Sequence, residues 1–476
     1  MSSSDNETYT VVSLFTGAMG LDIGLEETGR FETHLAVDAN EAACETIRIN
    51  RDAGRTTNSD LEVINADLGE ISPEEVFDQV EASPEDVDLL SGGPPCVSFS
   101  TAGDRRTLQD ARGELIFDYL DFVKYIKPDF FLMENVRGLM SAAIQHRPTD
   151  ERPKNGGPPL DPEEKPGSVL KLWLRDLMDI GDEDYRVDIF EVNSANYGAP
   201  QIRERVLFIG NRHNIKTQFP RPTHYNVPKE AGASTDEENT SNKLNTLSDK
   251  EIKPFNTLGD AIKDLEEENP VIMDFSPRKK KYLKKVPPGG NWRTLPEDLQ
   301  KESMGAAYEA SGGRSGWWRR LSYDYPTPTI LGQPNHSSSA LCHPEEVRAL
   351  TLRECALVQE FPEDWEFAGT PAKQYKQVGN AVPITLGRVA GETIAEHLDQ
   401  VHQGEAAENN RTYPKARKVY INSHVRRRYW YKDGDTVVNE DSNGSEVRYE
   451  LPDTKIEEEI ISLDEQQKQS SLEKFS

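Results

Sequence analysis

Short apolar runs and amphipathic stretches alternate through the first two hundred residues. YTVVSLFTG (9–17) is apolar up to a glycine and predicts a buried strand, and LDIGLEETG (21–29) predicts a helix stopped by Gly29. THLAVD (33–38) predicts the next strand and ANEAACETIRIN the next helix. LEVINAD (61–67), DVDLLSGG (86–93) and PDFFLMENV (128–136) predict three further strands, with the helix RGELIFDYLDFVKYI (112–126) between the last two. Strands alternating with helices predict an α/β fold with a doubly wound, Rossmann-like parallel sheet. In such sheets ligands sit outside the carboxyl ends of the strands. LFTG, VDAN, NADL, GGPPC and MENV all fall at such ends, so the pattern gathers them on one rim.

Beyond residue 136 the pattern loosens. Residues 146–168 are rich in Pro and Gly and predict a surface insertion. GSVLKLWLRDLMDIG predicts a helix, and RVDIFEVN and RVLFIG predict strands that extend the sheet. Residues 213–255 are polar and predict a linker. The stretch to 342 holds one clear helix, TLGDAIKDLEEE (257–268), a basic run and several Gly-rich turns. TLRECALVQEFP (351–362) returns to helical spacing, with Thr351 and Glu354 placed as a capping box. ITLGRVAGETIAEHLDQV (384–401) predicts a closing amphipathic helix, and 402–476 a polar tail. The organisation expected is therefore a first body over 1–212, a second over 213–342, a return to the first over 343–400, and a tail.

Composition narrows the class. The 476 residues carry 55 Lys and Arg against 83 Asp and Glu, a formal charge of −28. No apolar run is long enough to span a membrane, and MSSSDNETYT has neither the basic start nor the apolar core of a secretory signal. The four cysteines form no CxxC pair. A cytoplasmic protein without a metal site is expected. The acidity argues against broad polyanion binding and requires any nucleic-acid contact to use local clusters of Lys and Arg. It also suits a salt-adapted host, where self-repulsion is screened.

Several rim residues carry candidate chemistry. FTGAMG (15–20) is a Gly-rich turn, and Asp38 lies 21 positions after Gly17, a spacing that suits ribose hydroxyls. The pattern is GxxG rather than GxGxxG, so an adenosine ligand without phosphates fits better than a dinucleotide; a plain tight turn is the alternative. Asp67 can take an adenine amino group or act as a turn acid. Cys96 follows Gly92, Gly93, Pro94 and Pro95, which cannot pack a core and form a stiff turn. A thiol presented there is a soft nucleophile, against the usual fate of a buried inert cysteine. Cys44 and Cys355 read as core fillers, and Cys342 is undetermined. Glu134 closes an apolar strand, where desolvation would favour a protonated, donating carboxyl; a capping or salt-bridged acid is the alternative. Arg203 and Arg205 in QIRERV project to the same side of an extended segment and suit an anionic ligand or a carboxylate needing orientation.

In order and spacing, SLFTGAMG, GGPPCVSFS, ENV, QIRERV, LTLRECALVQEFP and QVGNAVP resemble the DNA (cytosine-5)-methyltransferase family over about residues 10–212 and 343–400. The resemblance implies a Rossmann-like methyltransferase sheet with a smaller target-recognition domain over 213–342, and S-adenosylmethionine as methyl donor. By the same resemblance Phe15, Gly17, Gly20, Pro95 and Leu115 line the donor, Asp38 binds its ribose, Asp67 its adenine, and Asn380 closes over it. Cys96 is the implied nucleophile, Glu134 binds the base edge, and Arg203 and Arg205 support it. The target cytosine must leave the duplex to be reached, which implies a closing loop at 97–114 with Gly103 and Gly113 as hinges and Arg105, Arg106 and Arg112 near phosphates. Val97 departs from the glutamine that many members carry.

In the recognition region PRKKKYLKK (277–285) offers Lys279 and Lys280 to phosphates, and GGRSGWWRRL (312–321) offers Arg314 and Arg319 to base edges, against a solvated basic face and core tryptophans as alternatives. The tail segment 413–432 is a further basic, aromatic patch. The implied partner is double-stranded DNA, with no membrane and a monomeric chain; a restriction-modification role beside a cognate restriction endonuclease and an orphan modification role both fit. A transfer-RNA cytosine-5 methyltransferase and a catalytically dead DNA-binding paralogue are the rivals.

Overall fold

The computed structural model describes residues 8–95, 111–178, 180, 185–225, 253–309, 316–404, 415–422 and 455–461; the side chains of 111–114, 149 and 455 are outside that description. The predicted strands form as β1 (Tyr9–Leu14), β2 (Phe31–Asp38), β3 (Glu62–Asn65), β4 (Leu89–Gly92), β5 (Phe130–Asn135) and β6 (Arg186–Asn193). They are followed by β7 (Gln201–Ile202), β8 (Glu204–Asn211), β9 (His224–Tyr225), β10 (Lys253–Pro254), β11 (Thr327–Pro328), β12 (Ala416–Asn422) and β13 (Lys455–Ile460).

Nine of these make one sheet in the order β13-β12-β6-β8-β5-β4-β1-β2-β3. β1 runs parallel to both β2 and β4, so the chain winds outward to β3 and then crosses back to start the other half at β4. That reversal makes the gap between the carboxyl ends of β1 and β4 the topological switch point, where doubly wound sheets bind ligands. Leu14 pairs with Gly92 at that edge, which sets the FTGAMG turn beside the GGPPC segment.

The apolar runs are continuous because both faces are covered. On one face α1 (Gly20–Glu26) and the long helix Ile384–His402 bury Leu21, Leu25, Leu386, Ile394 and Leu398 against Val11, Leu89 and Leu132. Two glycines allow this contact: a Cβ on Gly24 would come within 2.2 Å of the Ile384 carbonyl, and one on Gly387 within 2.2 Å of the Leu21 carbonyl. On the other face α2 (Ala111–Ile126) and α3 (Ser168–Met178) bury Tyr119, Leu120, Val123 and Trp173 against Val12, Leu90 and Phe131. A separate core, with Tyr282, Leu283, Val286, Trp292 and Trp318, lies within the 273–349 region. The capping box at Thr351 forms, its hydroxyl accepting from Glu354 N at 2.9 Å.

The structure departs from the sequence reading in four places. β8 runs antiparallel to both β5 and β6, so the sheet is mixed. The polar tail contributes β12, parallel to β6, and β13, antiparallel to β12. The helix expected over 257–268 ends at Ile262, where the acidic run 264–268 offers no apolar stripe to bury. The polar stretch from residue 213 begins on the sheet itself, with Ile215 and Phe219 in its core.

Candidate active site at the switch point

The turn after β1 is conformationally unusual. Phe15, Gly17 and Met19 have φ of 52°, 58° and 66°, a region costly for the two residues with side chains. Asp38, at the end of β2, holds this turn: Gly17 N donates to its Oδ2 at 2.8 Å and Asn40 N to its Oδ1 at 2.7 Å. Burial raises the Asp38 carboxyl above its ordinary range, against those two hydrogen bonds. At Gly17 an added Cβ would meet nothing within 4 Å, so the turn leaves open space toward the crevice. Gly20 has a different reason to be glycine: a Cβ there would lie 2.5 Å from the Val382 carbonyl. Phe15 is half-buried, and Pro95, Asp67 and Asn380 are exposed around the opening. Asp67 accepts from Gly69 N, and a Cβ on Gly69 would touch both Asp67 Oδ1 (3.5 Å) and the Leu115 side chain (3.6 Å), so these two residues border one space. One open glycine, flanking carboxylates and apolar walls fit an uncharged nucleoside better than a pyrophosphate.

Across the switch point, the described chain reaches Pro95. Cys96, loop residues 97–110 with Arg105 and Arg106, and Arg314 lie outside the described residues, as does the side chain of Arg112. Gly113, expected as a loop hinge, belongs to the first turn of α2. The approach to Cys96 is nevertheless tightly set. A Cβ on Gly92 would collide with the Leu14 carbonyl at 2.7 Å, and Asn135 Nδ2 donates to the Pro94 carbonyl at 3.2 Å. Glu134, buried at the end of β5, faces this segment: its Oε2 lies 3.4 Å from where a Gly93 Cβ would stand. Its Oε1 pairs with Arg205 Nε at 2.5 Å.

Arg203 and Arg205 divide their work. Arg205 meets Glu134, whereas the fully enclosed Arg203 donates to the carbonyls of Ile330 (3.1 Å), Gly379 (3.0 Å) and Asn380 (3.2 Å). Burial depresses the Arg203 guanidinium well below its usual range, Arg205 adds to this, and Glu134 opposes it. Arg203 thus holds the QVGNAVP segment at the crevice and reaches Glu134 only through space.

Two residues that sequence reasoning passed over complete this clasp. Gln201 Nε2 donates to Gln359 Oε1 at 2.8 Å and its Oε1 accepts from Ile330 N at 2.9 Å. Gln359 Nε2 in turn donates to the carbonyls of Val378 and Ala381. Both amides are fully buried, and a glutamine amid apolar neighbours in QIRERV and LVQEFP was the available signal.

The basic run of the second region is largely used internally. The helix Pro277–Leu283 is capped by Ser276; Lys279 Nζ donates to the Asn335 carbonyl at 2.7 Å, Lys280 pairs with Asp274, and Lys281 with Glu302 at 2.8 Å. Trp318 is a core residue, and desolvation lowers the Arg319 guanidinium beside it. A cavity of about 620 Å³ opens between the segment 331–339 and the helix Pro371–Asn380, with Gln333, His336, Lys373 and Lys376 on its walls.

Comparison with known proteins agrees with this geometry. Residues 9–396 match the model of the C-5 cytosine-specific DNA methylases. The chain belongs to that family. It is a DNA cytosine-5 methyltransferase, and the family's methyl donor is S-adenosylmethionine. It is 33% identical over 397 residues to the Type II methyltransferase M.Sau96I of Staphylococcus aureus, covering 83% of this chain and 77% of the relative. It is 32% identical over 402 residues to M.Eco47II of Escherichia coli, covering 84% and 81%. A solved structure described as a DNA modification methyltransferase encoded within an E. coli prophage shares the fold, with a TM-score of 0.50 at 21% identity over 82% of this chain and 100% of that one. No described helix of this methyltransferase is long and apolar enough to cross a membrane.

Proposed function

We propose that this methyltransferase modifies one cytosine within a short duplex DNA sequence as the modification half of a Type II restriction–modification system, with Cys96 as nucleophile. The observation that carries the reading is the Glu134–Arg205 pair, buried at the end of β5 and facing Gly93 three residues before Cys96. Carbon 5 of cytosine is a weak nucleophile. The Cys96 thiolate adds to carbon 6, forming a carbon–sulfur bond and pushing the electron pair of the 5,6 double bond toward carbon 5 and the ring. Glu134 offers its carboxyl to ring nitrogen 3 and the exocyclic amine, where charge develops, and Arg205 fixes that carboxyl's orientation. S-adenosylmethionine would supply an electrophilic methyl group to carbon 5, its sulfonium–methyl bond breaking to leave the thioether S-adenosylhomocysteine. A base then removes the carbon 5 proton, the double bond reforms, and the thiolate leaves.

The donor is assigned to the space bordered by Phe15, Gly17, Asp38, Asp67, Pro95, Leu115 and Asn380. A base inside a stacked duplex is out of a thiol's reach, so the cytosine is flipped out. The cleft walled by Lys373 and Lys376 is the route we assign to the phosphate backbone, with segment 331–339 and Arg319 toward the bases.

Base-resolution sequencing of 5-methylcytosine in DNA and transfer RNA, from a methylation-free host expressing this chain or its Cys96→Ala variant, tests the reading. Methylation at one short DNA motif, absent with the variant, is expected. Methylation confined to transfer RNA, or unchanged in the variant, contradicts it.

A further inference from the structure

Asp22 lies in the first turn of α1, fully buried between that helix and the sheet. Its Oδ1 accepts from Ser91 Oγ at 2.8 Å, and Ser13 is a second hydroxyl neighbour. Ser13 and Ser91 are direct partners on β1 and β4, one step before both strands end at the switch point. Asp22 Oδ2 has no hydrogen-bond partner among the described residues. A buried carboxyl with an orphan oxygen costs stability.

What this carboxyl joins is the active site's two halves. Three residues before it lies Met19, the last of the three left-handed residues of the donor turn. From Ser91 the chain runs through Gly92–Pro95 to Cys96, and Asn135 holds the same segment from the other side through the Pro94 carbonyl. Burial pushes the Asp22 carboxyl up to about 6, with the two serine hydroxyls opposing that shift.

We propose that Asp22 is a positioning residue for methyl transfer: through Ser91 it fixes the register of the donor turn against the strand that delivers Cys96. The proposal rests on Cys96 being the nucleophile. It locates the cost of a buried, half-satisfied acid in the alignment of thiol and methyl rather than in the stability of the fold.

The test compares full-length Asp22→Leu, Asp22→Asn, Ser91→Ala and the Asp22→Leu/Ser91→Ala double variant, with Cys96→Ala alongside, by steady-state kinetics in donor and in DNA and by urea unfolding. Asp22→Leu is expected to remain cooperatively folded in urea titration at pH 8, yet to lose about tenfold in kcat with the KM for either substrate changed less than about threefold. Asp22→Asn, which keeps an acceptor for Ser91, is expected to recover kcat to within about threefold of the parent. The double variant is expected to be no slower than the slower single one, because both remove one link. A parental kcat in Asp22→Leu, a loss that tracks its unfolded fraction, or additive losses in the double variant would overturn the proposal. Should Asp22→Leu not fold, Ser91→Ala, which removes a single hydroxyl, carries the same kcat test. Transfer by Cys96→Ala would overturn the nucleophile reading and the proposal with it, whereas a parental Asp22→Leu beside an inactive Cys96→Ala overturns the proposal alone.

Discussion

Arg205 and Arg203, two residues apart on one extended segment, show how little separation is needed to give one side-chain type two tasks. Arg205 supplies the countercharge that lets Glu134 be buried, and its planar fork fixes the carboxyl's direction. Replacing Arg205 with leucine strands that carboxyl. We expect a loss of about 3 kcal/mol in urea-unfolding stability, as for other broken buried pairs, together with a fall in kcat. Adding Glu134→Gln should recover most of the stability and none of the activity. A stability unchanged in Arg205→Leu would contradict the pairing. QIRERV itself announced two guanidiniums on one face. It could not announce that Arg203 spends its donors on carbonyls of residues 330, 379 and 380, because those partners come from segments more than a hundred positions away.

At the scale of elements, the C-terminal ribbon is the least expected part of the molecule. β12 adds to the edge of β6, and its Arg417 is buried while donating to Asp188 (2.8 Å), Glu458 (2.7 Å) and the Thr217 carbonyl (2.7 Å). ARKVYIN reads as polar because its inward positions include an arginine whose burial is made possible by acids on β6 and β13. Periodicity alone does not show such pairing. Nor does it show strand direction: RVLFIG was legible as a strand, but its antiparallel sense follows from the short connection over 194–203 that returns the chain from β6. The ribbon lies far along the sheet from the switch point, with β6, β8 and β5 between it and β4. Arg417→Leu is therefore expected to cost about 3 kcal/mol in denaturant unfolding while kcat at low temperature stays within about threefold of the parent. A parental stability would show that the ribbon does not hold the sheet edge.

Across the whole molecule, the order of strands does most to make the site. Five segments at strand ends, spread over residues 14–136, converge because β1 is flanked by β2 and β4, and this much was legible from alternating apolar runs and their terminal glycines. The clasp formed by Gln201, Arg203 and Gln359 was not legible, since it joins distant segments through uncharged amides and carbonyls. Nor did the basic run PRKKKYLKK reveal that Lys279, Lys280 and Lys281 are each engaged by their own domain.

The central claim, covalent catalysis by Cys96, is most directly tested on duplex DNA carrying 5-fluorocytosine at the methylated position. Fluorine cannot leave carbon 5 as the proton does, so the adduct cannot collapse after transfer. Intact mass spectrometry with S-adenosylmethionine present should give one protein joined to one methylated strand, with peptide mapping to Cys96 and no adduct from Cys96→Ala. Turnover without an adduct, or an adduct on another residue, would contradict the account.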